Sequence, residues 1–116
     1  MIRGRIASFG YAFEGLAVMI RTQPNAWIHS VAAFAVVAAG VWLGLEARDW
    51  VLLVFAIALV WVTEALNTAI EFLADAAVPD PRSLIKHAKD VAAGAVLLAS
   101  VAATVIGALV FLPRIA

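Results

Sequence analysis

Three stretches of this chain are long and apolar enough to cross a lipid bilayer, and that constraint precedes every other. A spanning helix needs roughly 20 mainly apolar residues. The first stretch, at about 27–45, has His29 near its start as its only strongly polar side chain. The second, at about 50–75, is wholly apolar in its first part and then carries Glu64, Asn67 and Glu71. The third, at about 90–112, has no charge after Asp90. Composition agrees: 66% of the 116 residues are hydrophobic and 14% charged, against roughly a quarter charged in soluble domains. These proportions exclude an ordinary soluble globule, a disordered tail and a nucleic-acid binder. The fold class they predict is an all-α membrane protein, one membrane domain over 1–116.

Ahead of the spans, Ile2, Ile6, Phe9, Phe13, Leu16 and Ile20 recur at alternating intervals of four and three. That is one stripe of an amphipathic helix over about 1–22. With arginines beside it, the segment is expected to lie in the cytoplasmic membrane interface. A cleaved leader is the alternative, but Glu14 and Arg21 interrupt its apolar run. Pro24 and Asn25 predict a turn before the first span. Residues 44–49 read as a short outer loop, with Trp42 and Trp50 either as interfacial anchors or as plain lipid-facing side chains. Residues 78–83, with two prolines, read as the inner loop.

Basic residues favour the cytoplasmic side of short loops. Arg3, Arg5 and Arg21 precede the first span, and Arg82, Lys86 and Lys89 lie between the second and third. Only Arg48 and Arg114 fall on the other side. The N-terminus is therefore expected inside and the C-terminus outside. Ala95, Ala99, Ala103 and Gly107 stand at every fourth position of the third span, either a close helix contact or the ordinary alanine content of an apolar helix.

The chemistry resides in the second span. Carboxylates inside a membrane cost about 2.5–3.5 kcal/mol each on insertion scales, which makes them functional candidates. Glu64, Asn67, Glu71 and Asp75 follow at intervals of three, four and four and fall on one narrow helix face. Glu64 lies about 21 Å along the axis from Trp50 at 1.5 Å per residue, below the cytoplasmic surface but past the midplane. Glu71 and Asp75 lie successively nearer the water. The third helix begins at the same level with Lys86, His87, Lys89 and Asp90. Cations beside carboxylates suit a phosphate-bearing polyanion held with magnesium, which takes one or two carboxylates plus phosphate oxygens. An interhelical salt-bridge network fits the same charges, and so does a proton or ion pathway. With no cysteine, disulfides and thiolate metal sites are excluded, and two histidines cannot make a histidine-rich site. The phosphate-binding and catalytic motifs of soluble kinases are absent.

The segments EALNTAIEFLAD at 64–75 and AKDVAAGAVLL at 88–98 resemble the signatures of the small prokaryotic diacylglycerol kinase family, which comprises diacylglycerol and undecaprenol kinases. Gly10, Tyr11 and Gly15, and the Thr22, Asn25, His29 pattern, extend the resemblance over nearly the whole chain. The His29 pattern, the AAGAVLL run and the FLPR ending look more like the undecaprenol kinase branch. The resemblance implies a homotrimer in a bacterial cytoplasmic membrane, with active sites shared between subunits, that transfers the γ-phosphoryl group of ATP to a lipid hydroxyl. It assigns Glu64 as the catalytic carboxylate, Asn67 as its support and Glu71 as a magnesium ligand. Tyr11, Gln23, Glu71, Asp75, Lys89 and Asp90 are placed around the nucleotide. Gln23 stands where many members have a second metal-binding glutamate, so this chain brings a neutral oxygen there.

Overall fold

A computed structural model describes residues 2–77 and 83–115. Four helices account for nearly all of them: α1 Ile2–Thr22, α2 Pro24–Leu43, α3 Ala47–Ala77 and α4 Ser83–Ile115. Three of these, α2, α3 and α4, are long and apolar enough to cross a membrane, so the chain is an all-α membrane protein. The expected inner loop, with Arg82, falls almost wholly at 78–82, outside the described residues.

The 31 residues of α3 and the 33 of α4 outlast the apolar stretches that announce them. At 1.5 Å per residue each helix is about 45–50 Å long, against a hydrocarbon core of about 30 Å. Hydropathy marks only the part in hydrocarbon, while the helix continues wherever no breaker stops it. The polar residues 64–75 and 86–90 lie toward the ends of α3 and α4 that residues 78–82 connect.

Helix α2 starts earlier than the expected turn. Gln23 is extended (φ −115°, ψ 111°) and Pro24 is already the first helical residue. Proline suits that position because its missing N–H would have no partner there and its φ is preset. The bend between α1 and α2 is therefore confined to Gln23. At its other end α2 closes on Gly44, in the left-handed region with φ 67° and ψ 48°. The Gly44 N–H donates to the Val41 carbonyl and the Leu45 N–H to the Gly40 carbonyl, each at 3.2 Å, a Schellman closure. Only residues 44–46 then separate α2 from α3.

Trp50 does not serve as a lipid-facing anchor alone. A Cβ added at Gly40 would stand 2.7 Å from its indole and 3.0 Å from Leu45, so the glycine admits both side chains against α2. Trp42, by contrast, is exposed. Leu45, Leu53 and Val110 form a buried cluster nearby, with Val36, Trp50 and Ile106 packed around it. Arg114, in the last turn of α4, donates to Asp49 in the first turn of α3 at 2.6 Å and lies 4.0 Å from Glu46. The three long helices are thus tied together at this end.

Helix α4 packs chiefly on α3, and α1 touches both α2 and α3. The four-residue row of small side chains on α4 is divided. Ala99 is buried, Ala95 lines an α3–α4 cleft, and Ala103 and Gly107 line a cleft facing α2. Met19 is buried in α1, where a shallow groove with Gly15 and Leu16 meets Ala65, Thr68 and Phe72 of α3. Ile2, Ile6, Phe9 and Phe13 remain exposed.

Gly44→Ala forces a Cβ into the left-handed region, so it should lower stability by about 1–2 kcal/mol. Thermal unfolding in detergent measures the loss; an unchanged midpoint would mean that the α2 closure tolerates another conformation.

Candidate active site

The acidic stripe of α3 begins in the dry part of the protein. Glu64 is 1% exposed and Asn67 7%, with Thr68 buried beside them. The Thr68 hydroxyl donates to the Glu64 backbone carbonyl at 2.9 Å, a helical back-bond that leaves the carboxylate untouched. Both Glu64 carboxylate oxygens and the Asn67 carbonyl oxygen lack a hydrogen-bond partner among the described residues. The imidazole of His29 on α2 approaches it, with Nε2 3.6 Å from Glu64 Oε2, beyond a hydrogen bond. A buried carboxylate with open acceptors is costly unless something else fills them. A ligand hydroxyl, at this depth, is such a group.

Farther along the same face the surroundings become wet. Glu71 is half-buried and Asp75 exposed. Lys89 of α4 donates to Asp75 at 2.5 Å, and Lys86 donates to Asp90 at 2.6 Å within α4. Glu71 stands about 10 Å and Asp75 about 16 Å beyond Glu64 along the axis. The residues implied by the resemblance thus form two groups. Glu64 and Asn67 make a buried polar cluster, and Asp75, Lys89 and Asp90, joined by Lys86 from the charge pattern, make a charged group at the surface, with Glu71 between. Both phosphate-type cations are engaged by carboxylates, so the salt-bridge arrangement expected from the charges is present in part.

Two other positions stand apart. Tyr11 is exposed on α1, off the seam that faces α3. Gln23 is half-buried at the α1–α2 bend, and its side chain does not cap α2 but approaches the Thr22 hydroxyl at 3.5 Å.

Among the described residues no three histidine or acidic side chains converge to hold a metal. Magnesium usually keeps few protein ligands and takes the rest from phosphate and water. Glu71 and Gln23 are both half-buried and offer a carboxylate and a neutral oxygen, donor types that magnesium accepts.

Sequence reasoning placed His29 in a motif but not at the carboxylate, and it passed over Thr68. A signal for the first existed: an imidazole in an otherwise apolar span needs a polar neighbour. Which neighbour depends on the packing of α2 against α3, which no periodicity specifies.

Comparisons with known proteins converge on one family. The family profile described as "Prokaryotic diacylglycerol kinase" matches residues 10–111. The chain is 42% identical over 109 residues to a diacylglycerol kinase of Synechocystis sp., covering 93% of this chain and 62% of that protein. It is 38% identical over 108 residues to an undecaprenol kinase of Bacillus subtilis, covering 93% of this chain and 88% of the relative. A diacylglycerol kinase of Escherichia coli is 33% identical over 100 residues, covering 86% and 82%. The chain thus spans about three fifths of the cyanobacterial relative's length.

The purpose of the Lys89–Asp75 bridge can be measured. Exposed ion pairs contribute about 0–1 kcal/mol, so Lys89→Gln should shift the unfolding free energy by less than about 1 kcal/mol. A larger loss would make the bridge architectural and leave the lysine no surplus for a ligand.

Proposed function

We propose that this chain, which belongs to the prokaryotic diacylglycerol kinase family, is a lipid kinase that uses ATP and magnesium to phosphorylate the hydroxyl of a membrane lipid alcohol. The observation that carries the reading is Glu64: a carboxylate 1% exposed, on a spanning helix, with both oxygens free to accept. Undecaprenol is the favoured acceptor. His29, whose pattern is one of the three features that resemble the undecaprenol kinase branch, lies 3.6 Å from that carboxylate. Diacylglycerol, giving phosphatidic acid, is the second reading, favoured by the 42% identity to the Synechocystis diacylglycerol kinase.

Phosphoryl transfer asks a protein mainly for positioning and for neutralised charge, and the depth order of the stripe serves both. The nucleotide sits at the wet end, its phosphates among Lys89, Asp75, Asp90 and Glu71, with Tyr11 of α1 closing over it. The lipid hydroxyl sits at the dry end, where it donates to Glu64. As its oxygen bonds to the γ-phosphorus, the bond between that phosphorus and the β–γ bridging oxygen breaks, ADP leaves and the hydroxyl proton passes to Glu64. Asn67, one turn along, holds the reacting groups in register. Magnesium, when bound, neutralises the β- and γ-phosphoryl oxygens; Glu71 and Gln23 would hold it.

The functional unit is a homotrimer in a bacterial cytoplasmic membrane, N-terminus inside. The uncovered apolar stripe of α1 supports an interfacial position for that helix, and the unpartnered oxygens on α3 support a site that is finished by substrate and a neighbouring subunit.

Glu64→Gln should keep ATP binding while lipid-dependent ATP turnover falls about 10²–10⁴-fold, the usual share of general base catalysis; full turnover in that variant would remove Glu64 from the chemistry. In a magnesium titration, Glu71→Gln should need more metal for half-maximal rate and Gln23→Glu less. Titrations that overlay the wild type would dissociate both residues from the ion.

A further inference from the structure

Burial alone does not set the direction of the Glu64 carboxylate. The terminal torsion of a glutamate is broad, and neither Glu64 oxygen has a hydrogen-bond partner among the described residues. The Thr68 hydroxyl beside it is donated to the Glu64 backbone carbonyl. Asn67 does not fix it either, since its amide gives the carboxylate no bond and its own carbonyl oxygen is unpartnered. One donor from another helix approaches: His29 of α2, with Nε2 3.6 Å from Oε2. Trp61 and Ser100 line the same cleft as His29, yet neither bonds the acid.

We infer that His29 is a positioning residue: in the substrate complex it donates from Nε2 to Oε2 of Glu64 and so aims Oε1 at the acceptor hydroxyl. The inference rests on the lipid kinase reading above and adds the group that orients its base. Catalytic hydrogen bonds are often long before substrate binds and tighten in the complex. Here the missing distance is about 0.5 Å. Helix α4 provides most of the packing on α3, which leaves α2 the looser neighbour, and α2 begins just after the single extended residue Gln23. A carboxylate facing Nε2 selects the form of the imidazole in which that nitrogen carries hydrogen. With Oε2 engaged, the hydroxyl proton has one destination. It passes to Oε1 as the alcohol oxygen bonds to the γ-phosphorus, the bond to the β–γ bridging oxygen breaks and ADP leaves. Misplacing a reacting group by about 1 Å costs about 10²-fold in rate, so a contact that only orients the base controls turnover without adding to binding.

Kinetics in detergent, with ATP and with farnesol and dioctanoylglycerol as acceptors, read this role. His29→Leu should lower kcat about 10–100-fold. The KM values for ATP and acceptor should stay within about threefold, the pattern of a contact made only in the transition state. His29→Gln, whose amide nitrogen donates from near the place of Nε2, should recover kcat to within about threefold of the wild type. In a Glu64→Gln background there is no carboxylate to aim, so His29→Leu should change kcat by less than about twofold. Phe34→Leu, exposed on α2, should leave every constant unchanged. His29→Phe keeps a ring without the donor and takes the place of His29→Leu if that variant fails to assemble. A raised KM at unchanged kcat overturns the positioning role and leaves the kinase reading intact. So does a glutamine variant as slow as the leucine one, or an equal loss with and without the Glu64 carboxylate. Wild-type ATP turnover that ignores both alcohols overturns the kinase reading, and the role of His29 with it.

Discussion

A carboxylate buried on a membrane-spanning helix is the costliest thing this chain does, and the surrounding structure is arranged about it. Insertion of an acidic residue into a spanning helix costs about 2.5–3.5 kcal/mol. Here Glu64 is shielded almost completely, with an imidazole from α2 at ion-pair range. Helix α1 lies across the neighbouring face of α3 at Ala65, Thr68 and Phe72. No hydrogen bond within the described chain satisfies the acid. Its stability is thus sacrificed to whatever approaches it, which is how binding sites differ from cores.

The helices beyond that point set a gradient of solvation. From Glu64 through Glu71 to Asp75 the stripe passes from buried to exposed in about three turns. One continuous helix therefore carries polar side chains in a buried setting and in an exposed one, with the backbone of α3 joining them. The Lys89–Asp75 pair at the wet end is exposed enough that phosphate oxygens can replace the carboxylate at little cost.

The broad plan was legible in the sequence because both of its parts are periodic. Apolar runs of bilayer length report spanning helices, and intervals of three and four put Glu64, Asn67, Glu71 and Asp75 on one face before any coordinates. What was not legible depended on two helices meeting. Trp50 read as an anchor or a lipid-facing side chain, yet it nests over Gly40 because two helices cross closely there. His29 read as part of a motif, and only the placement of α2 brings it to Glu64. Pro24 read as a turn, although proline is as suited to opening a helix as to ending one. The full length of the helices was not legible either: hydropathy marks only the apolar part, while α3 and α4 continue past it where no breaker stops them.

At one end of the bundle, α2 and α3 are joined by three residues closed with Gly44, and Arg114 fastens α4 to the start of α3. At the opposite end the Lys89–Asp75 pair ties the same two helices again. The α3–α4 pair is thus riveted at both ends, and α2, which packs less extensively on α3 than α4 does, is the spanning helix left with room to shift.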